Sequence, residues 1–283
     1  MARTLSRQEE IERSIITTYR KEIWSPFVLA VKKYRLIEAG DKIAVCISGG
    51  KDSMLLAKLM QQLHRHSEVP FDLVFLVMDP GYAPQNRAKI LENASLLGVP
   101  ITLFDSDVFA ASEAAGQGSP CYLCARMRRG HLYAKAKELG CNKIALGHHK
   151  SDVIETTLMG MLYGGQIQGM LPMIRSTNFE GMSLIRPMTC ILERDIVRWK
   201  NHHDLSFLAC ACKFTEESET GDVEFSARKR VKELIASLAE ENPNVENNIF
   251  QSIHNVQLDT LVEYKSQGER HDFLERFKGE GEE

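Results

Sequence analysis

Apolar side chains recur at helical spacing from the start of the chain. Ile11, Ile15, Ile16 and Tyr19, then Ile23, Phe27, Val28, Val31 and Tyr34, fall on one face across residues 7–39. Pro26 lacks the amide that a helix interior needs, so it interrupts this pattern or opens a second helix. The period then changes. Lys42–Ile47 is a short apolar run, residues 48–53 are polar with two glycines, and residues 54–64 return to helical spacing. That is strand, turn, helix.

The unit repeats. Residues 71–78 form a second apolar run, residues 85–97 a helix closed by Gly98, and residues 101–104 a third strand. Residues 125–139 follow as a helix ended by Gly140, then a fourth strand at 143–146 and another helix at 151–163. Residues 185–187 read as a short strand before the helix Glu193–His202. Strands alternating with helices predict an α/β fold with a doubly wound parallel sheet, whose ligands bind at the carboxyl ends of the strands. Residues 105–120 and 164–183 are aperiodic and predict loops. The expected organisation is an N-terminal helical segment (1–39), a catalytic domain (40–215) and a C-terminal helical segment (216–283), with a break near Pro243.

Composition narrows the class. The 283 residues are 43% apolar and 26% charged, as in an ordinary globular protein, and no run approaches the ~20 apolar residues of a membrane span. The first residues are charged and lack a signal core, so a cytoplasmic protein without a membrane partner is expected. With a net charge of −3, nucleic-acid binding would need a local basic patch. Arg126, Arg128 and Arg129 form one; Arg228, Lys229, Arg230 and Lys232 form a second, more peripheral one. Either could equally be a solvated helix face.

Ser48, Gly49, Gly50, Lys51, Asp52 and Ser53 stand between a strand and a helix. The glycines let the backbone approach a bulky anion, the helix start offers free N–H groups, and Lys51 and the two hydroxyls add charge and donors. The spacing is not that of a Walker A loop. Taken alone, Asp52 is equally an acid favoured by a helix N-terminus. As a block, the six residues resemble the PP-loop of the N-type ATP pyrophosphatases. The resemblance implies the adenine nucleotide α-hydrolase fold and cleavage of ATP between its α and β phosphates. Gly147, His148 and Asp152, after the fourth strand, resemble the second motif of that superfamily and would face the nucleotide, with Asp152 holding Mg²⁺ or the α-phosphate region. Relatives commonly carry two consecutive acids there, whereas this chain has Ser151 then Asp152. Met78 ends the second strand, where relatives seat adenine.

Of seven cysteines, Cys46 and Cys141 read as packed core thiols, whereas Cys121 with Cys124, and Cys210 with Cys212, form two close pairs. An odd count without a secretion signal argues against disulfides. The pairs suit a metal, a redox couple or core packing, and zinc stays open. Together with Arg126 to Gly130, residues 144–149, residues 161–165 and residues 185–187, the Cys121 pair resembles the tRNA 2-thiocytidine synthetase (TtcA) family over residues 40–215. What the resemblance implies is a [4Fe–4S] cluster on Cys121, Cys124 and Cys212, with Cys210 as the alternate third ligand. It also implies ATP and Mg²⁺ as cofactors, tRNA as partner, and a cysteine desulfurase or free sulfide as sulfur source. Asp152, Lys51 and Cys212 would carry the catalysis, and Arg126, Arg128 and Arg129 would grip the RNA. Two rivals remain: a uridine thiolase of the same superfamily, and a nucleotide-binding cluster sensor without turnover. A homodimer is compatible with all of them.

Overall fold

A computed structural model describes residues 5–106, 120–208 and 223–278. The chain opens with helix α1 (Arg7–Ile16), a π-helical turn (Arg20–Trp24) and α2 (Ser25–Lys33). Ser6 starts α1 through a capping box with Glu9. Pro26 falls in the first turn of α2, where its missing amide costs nothing.

Six strands then form one sheet: β1 (Lys42–Ile47), β2 (Asp72–Asp79), β3 (Ile101–Asp105), β4 (Lys143–Ala145), β5 (Met173–Arg175) and β6 (Ser183–Ile185). Their spatial order is β3-β2-β1-β4-β6-β5, all parallel except β5 at the edge, which pairs antiparallel with β6. Between the strands run α3 (Lys51–His66), α4 (Pro84–Leu96), α5 (Pro120–Glu138), α6 (Lys150–Gly164) and, after β6, α7 (Glu193–His202).

Alternation along β1 explains the two-sided winding. Ile43, Val45 and Ile47 belong to the core that α1–α3 and α7 complete, with Trp199 fully buried in it, whereas Ala44 and Cys46 join Tyr133 and Ala136 of α5 on the opposite face. The expected α/β doubly wound sheet is therefore present. Its strand order reverses between β1 and β4, the switch point at which such sheets bind ligands.

Two features differ from the sequence expectation. Helix α5 begins at Pro120, five residues before the predicted start. Strand β5 lies in a stretch expected to be irregular; three exposed residues after Pro172 carry no buried-strand signal. After the catalytic core come α8 (Val223–Glu241) and α9 (Val245–Ser252), which cover the outer side of α6 through Val231, Ile235 and Phe250. The closing residues are not wholly helical: strands β7 (Glu263–Ser266) and β8 (Glu269–Asp272) make a hairpin before α10 (Phe273–Lys278). The expected core thiols are where burial predicts. Cys46 and Cys141 are buried, and desolvation pushes the Cys46 thiol up to about 12. Among the described residues, no helix is long and apolar enough to cross a membrane.

Candidate active site

At the switch point β1 runs into the glycine turn and β4 into the Gly147 loop. The two turns touch: a methyl group on Gly147 would lie 3.1 Å from the Ser53 amide nitrogen, tighter than most side-chain contacts, so a larger residue would push the two backbones apart by a few tenths of an ångström. Gly49 adopts φ +86°, which turns the chain from strand to helix. The Ser53 hydroxyl then receives hydrogen bonds from the Ser48 amide (3.1 Å) and hydroxyl (3.2 Å) and donates to the Gly50 carbonyl (3.0 Å). These bonds set the loop before any ligand arrives.

The resulting cleft has a volume of about 440 Å³. Ser48, Asp52, Ser53, Met78, Gly147, His148, Asp152, Arg128 and Arg129 all line it. The structure thus brings together most of the residues singled out in the sequence, from the ends of β1, β2 and β4 and from α3, α5 and α6. Met78 contributes its place at the end of β2. Its neighbour Asp79 is structural, accepting from the Gly81 and Tyr82 amides and pairing with Arg87.

Helix α6 starts with a reciprocal cap: the His149 ring accepts from the Asp152 amide (3.3 Å), and the Asp152 carboxylate accepts from the His149 amide (2.9 Å). The cap commits Oδ2 of Asp152 and leaves Oδ1 toward the cleft, 3.7 Å from Arg228. Oδ1 of Asp52 is buried without a hydrogen-bond partner, and so is Nδ1 of His148. Burial, helped by Arg186 and Arg129 and opposed by Asp152, pulls the His148 pKa down to about 4. The imidazole is therefore neutral at pH 7, able to meet a nucleotide without adding charge.

Lys51 points elsewhere. Its Nζ donates to Asp52 (3.1 Å) and to Glu193 at the start of α7 (2.9 Å), and Glu193 also accepts from Lys232 of α8. Burial opposes the Glu193 charge, but hydrogen bonds from Lys232 and Lys51 outweigh it and hold its pKa at about 2. For Lys51 burial likewise favours the neutral amine, and Asp52 and Glu193 outweigh it. The lysine is thus kept charged beside the loop by a glutamate that sequence reading missed.

The second basic cluster is closer to the site than expected. Arg228 lines the cleft, within 3.9 Å of Glu155 as well as near Asp152, and Lys232 sits on Glu193. Arg228 and Lys232 are thus paired with acids of α6 and α7, while Lys229 and Arg230 are exposed. A periodic signal could not have revealed this, because α8 and α6 meet only in the fold.

The cysteine pairs are described in part. Cys121, Cys124 and Arg126 lie in α5, but their side chains fall outside the described residues; Cys210 and Cys212 fall outside altogether. What the backbone gives is position. Cys124 stands one helical turn, about 6 Å, from the cleft-lining Arg128. The Leu208 amide bonds the Gly49 carbonyl at 3.2 Å, so the chain leaves the phosphate loop only two residues before Cys210 and four before Cys212.

Comparison with known proteins matches residues 21–262 to the PP-loop domain family. A tRNA-cytidine(32) 2-sulfurtransferase of Coxiella burnetii (strain CbuG_Q212) is 33% identical over 261 residues, covering 91% of this chain and 95% of that protein. The tRNA-cytidine(32) 2-sulfurtransferase 1 of Francisella philomiragia is 36% identical over 246 residues, covering 85% and 92%. Among solved structures, the U34-tRNA thiolase NcsA from Methanococcus maripaludis, determined with its [4Fe–4S] cluster, superposes with a TM-score of 0.63 at 17% identity, covering 84% of this chain and 80% of that one. That likeness is one of fold.

Proposed function

This chain belongs to the tRNA-cytidine(32) 2-sulfurtransferase family of PP-loop proteins, and from that premise we infer that it is an ATP-dependent tRNA sulfurtransferase acting on cytidine. The observation that carries the reading is the meeting of the phosphate loop and the Gly147 loop in one cleft, with the arginines of α5 on its wall.

In this reading the phosphates of ATP lie on residues 48–53, against the α3 N-terminus and its dipole. Lys51 exchanges Glu193 for phosphate oxygens. The cytidine O2 attacks the α-phosphorus and pyrophosphate leaves, which turns a poor leaving oxygen into the phosphate ester of AMP. A sulfur nucleophile then adds at C2 and AMP departs with the oxygen. No net electron transfer is required. Neutral His148 adds no charge to the cleft, while Arg128 and Arg129 neutralise phosphate charge of nucleotide or RNA.

Mg²⁺ would arrive on the ATP phosphates. Among the described residues no three acidic, His or Cys side chains are gathered to hold a metal by themselves. Oδ1 of Asp52, which has no hydrogen-bond partner, and Oδ1 of Asp152, which faces Arg228 at 3.7 Å, suit an ion that brings most of its own oxygen ligands. Cys121, Cys124 and Cys212, with Cys210 as the alternate, would hold a [4Fe–4S] cluster. The short path from Leu208 and the one-turn spacing of Cys124 from Arg128 support that donor set. When bound, the cluster supplies an iron without a protein ligand, at which sulfur can be offered to the base. Free sulfide or a cysteine desulfurase supplies the sulfur, and the tRNA partner assigns the work to the cytoplasm.

The test is turnover by anaerobically purified protein given tRNA, Mg·ATP and sulfide. Pyrophosphate and AMP should form only with tRNA present, and nucleoside mass spectrometry should find 2-thiocytidine. Pyrophosphate release that ignores tRNA, or RNA recovered without sulfur, would overturn the reading.

A further inference from the structure

A second cavity, of about 420 Å³, opens beside the nucleotide cleft between α6 and the loop that leads to β5. Its size lies in the range typical of small-ligand sites, about 300–1,000 Å³. Two buried polar atoms on its walls have no hydrogen-bond partner: Oγ1 of Thr156 and Nε of Arg186. Arg186 is only 5% exposed. Its Nη1 donates to the Leu171 carbonyl. Among the described residues no acid pairs with it. Burial lowers its pKa to about 10, and neighbouring Arg129 adds to the effect. Leaving a buried guanidinium N–H and a hydroxyl unmade costs free energy, so the cavity is built for something that supplies acceptors.

Position says what that is. Thr156 follows Asp152 by one turn of α6, so the cavity begins about 6 Å along the helix from the carboxylate of the nucleotide cleft. Gln166 and Gln168 also line it, and both are exposed, so their amides remain free to turn toward a ligand. A primary amide offers one acceptor and two donors side by side, the complement of a pyrimidine's N3 and exocyclic amine. Leu171 and Ile174, 61% and 40% exposed, also line it and offer apolar surface of the kind on which unstacked bases rest.

We propose that this cavity is the seat of the target pyrimidine: the base leaves its stack in the RNA, enters between α6 and the 166–171 loop, and is held by Thr156, Arg186 and the two glutamines, with its reactive oxygen facing the Asp152 end. The proposal rests on the sulfurtransferase reading and adds to it where the acceptor lies and which side chains select it. Arg186 and Thr156 satisfy their lost hydrogen bonds only when a base is present, so recognition is tied to occupancy.

The experiment uses the full chain and a tRNA anticodon stem-loop carrying cytidine at the modified position, against the same RNA with an abasic nucleotide there. Fluorescence anisotropy should find the cytidine RNA bound about 10-fold tighter, the scale of one stacked and hydrogen-bonded base. The double variant Thr156→Val, Gln168→Ala should lose that preference while its affinity for ATP stays that of wild type, which also certifies its fold. Equal binding of the two RNAs by wild type, or a preference kept by the variant, overturns the assignment. Thiolation by wild type separates the two layers. If sulfur is incorporated but the variant keeps its preference, the cavity assignment fails alone. If the preference behaves as expected but no sulfur is incorporated, the sulfurtransferase reading fails and the pyrimidine seat stands.

Discussion

Two lysines on one helix show how differently the same pair of charges can be used. Lys51 and Lys58 both lie on α3, and each meets a glutamate from a distant part of the chain: Lys51 pairs with Glu193, and Lys58 with Glu12 of α1. Lys58 is fully enclosed; besides Glu12 it donates to the Leu97 carbonyl and to Gln61 at 2.8 Å, so all three of its protons are used. Arg65 adds a two-pronged contact to Glu12. Among the described residues Lys51 has two acidic partners, both part-exposed, and it stands beside a cleft that has room for phosphate. A saturated, dry pair is a fastening. A half-open one is a holding position that a stronger anion can take over.

The comparison can be broken most severely at Lys58. Lys58→Ala should destabilise the fold by about 3–5 kcal/mol, the usual effect of stranding one member of a buried pair. Denaturant titration would read it, and activity per folded molecule should be unchanged. Acid gives the next largest effect. Burial works against the Glu12 charge, yet hydrogen bonds from Arg65 and Lys58 hold its pKa at about 2 against 4.5 unfolded. Its contribution is therefore whole above pH 4.5 and drains away as pH falls toward 2, by at most about 3 kcal/mol. Glu12→Gln should flatten that limb of the stability profile and leave a lower plateau at pH 7.

Lys51→Ala should act on turnover instead. Pyrophosphate release should drop on the order of 100-fold, the scale for removing one positioned charge from a transition state, with an unfolding midpoint near that of wild type. If Lys51→Ala unfolds the protein, or Lys58→Ala spares its stability, the division of labour is wrong. Glu193→Gln is the mildest variant. It frees Lys51 of one partner, so ATP affinity should change by only a few-fold; calorimetric titration would detect it, and a loss of 100-fold would mean that Glu193 does chemistry of its own.

The same contrast explains what could be read in the sequence. Lys51, Asp52, Gly147 and Asp152 were legible because each sits in a short contiguous block between a strand and a helix, where local backbone geometry dictates the residue. Glu193 was not: it lies 142 residues from Lys51, and a glutamate opening a helix is ordinary. Arg228 was visible as a charge but not as a wall of the cleft, because only the docking of α8 on α6 brings it there. Arg186 was visible as an arginine ending a strand toward the crevice, equally able to pair with a structural acid, whereas Thr156 gave no signal; what marks both is a missing hydrogen-bond partner, a property of three dimensions. Strand β5 escaped because three residues on an exposed edge need neither alternation nor apolarity.

The N-terminal helices have a further consequence. Besides Glu12, Tyr19 donates to the Arg198 carbonyl (3.2 Å), Arg7 donates to the His203 carbonyl (3.0 Å), and Ser14 meets the His203 ring (2.7 Å), so α1 and the turn after it are stitched to both α3 and α7. A protease or a gene fusion that began the polypeptide at β1 would spare every nucleotide-facing group, yet it would strip the braces from the two helices that carry Lys51 and Glu193. The smallest heritable unit of this enzyme therefore starts well upstream of the loop proposed to hold its nucleotide.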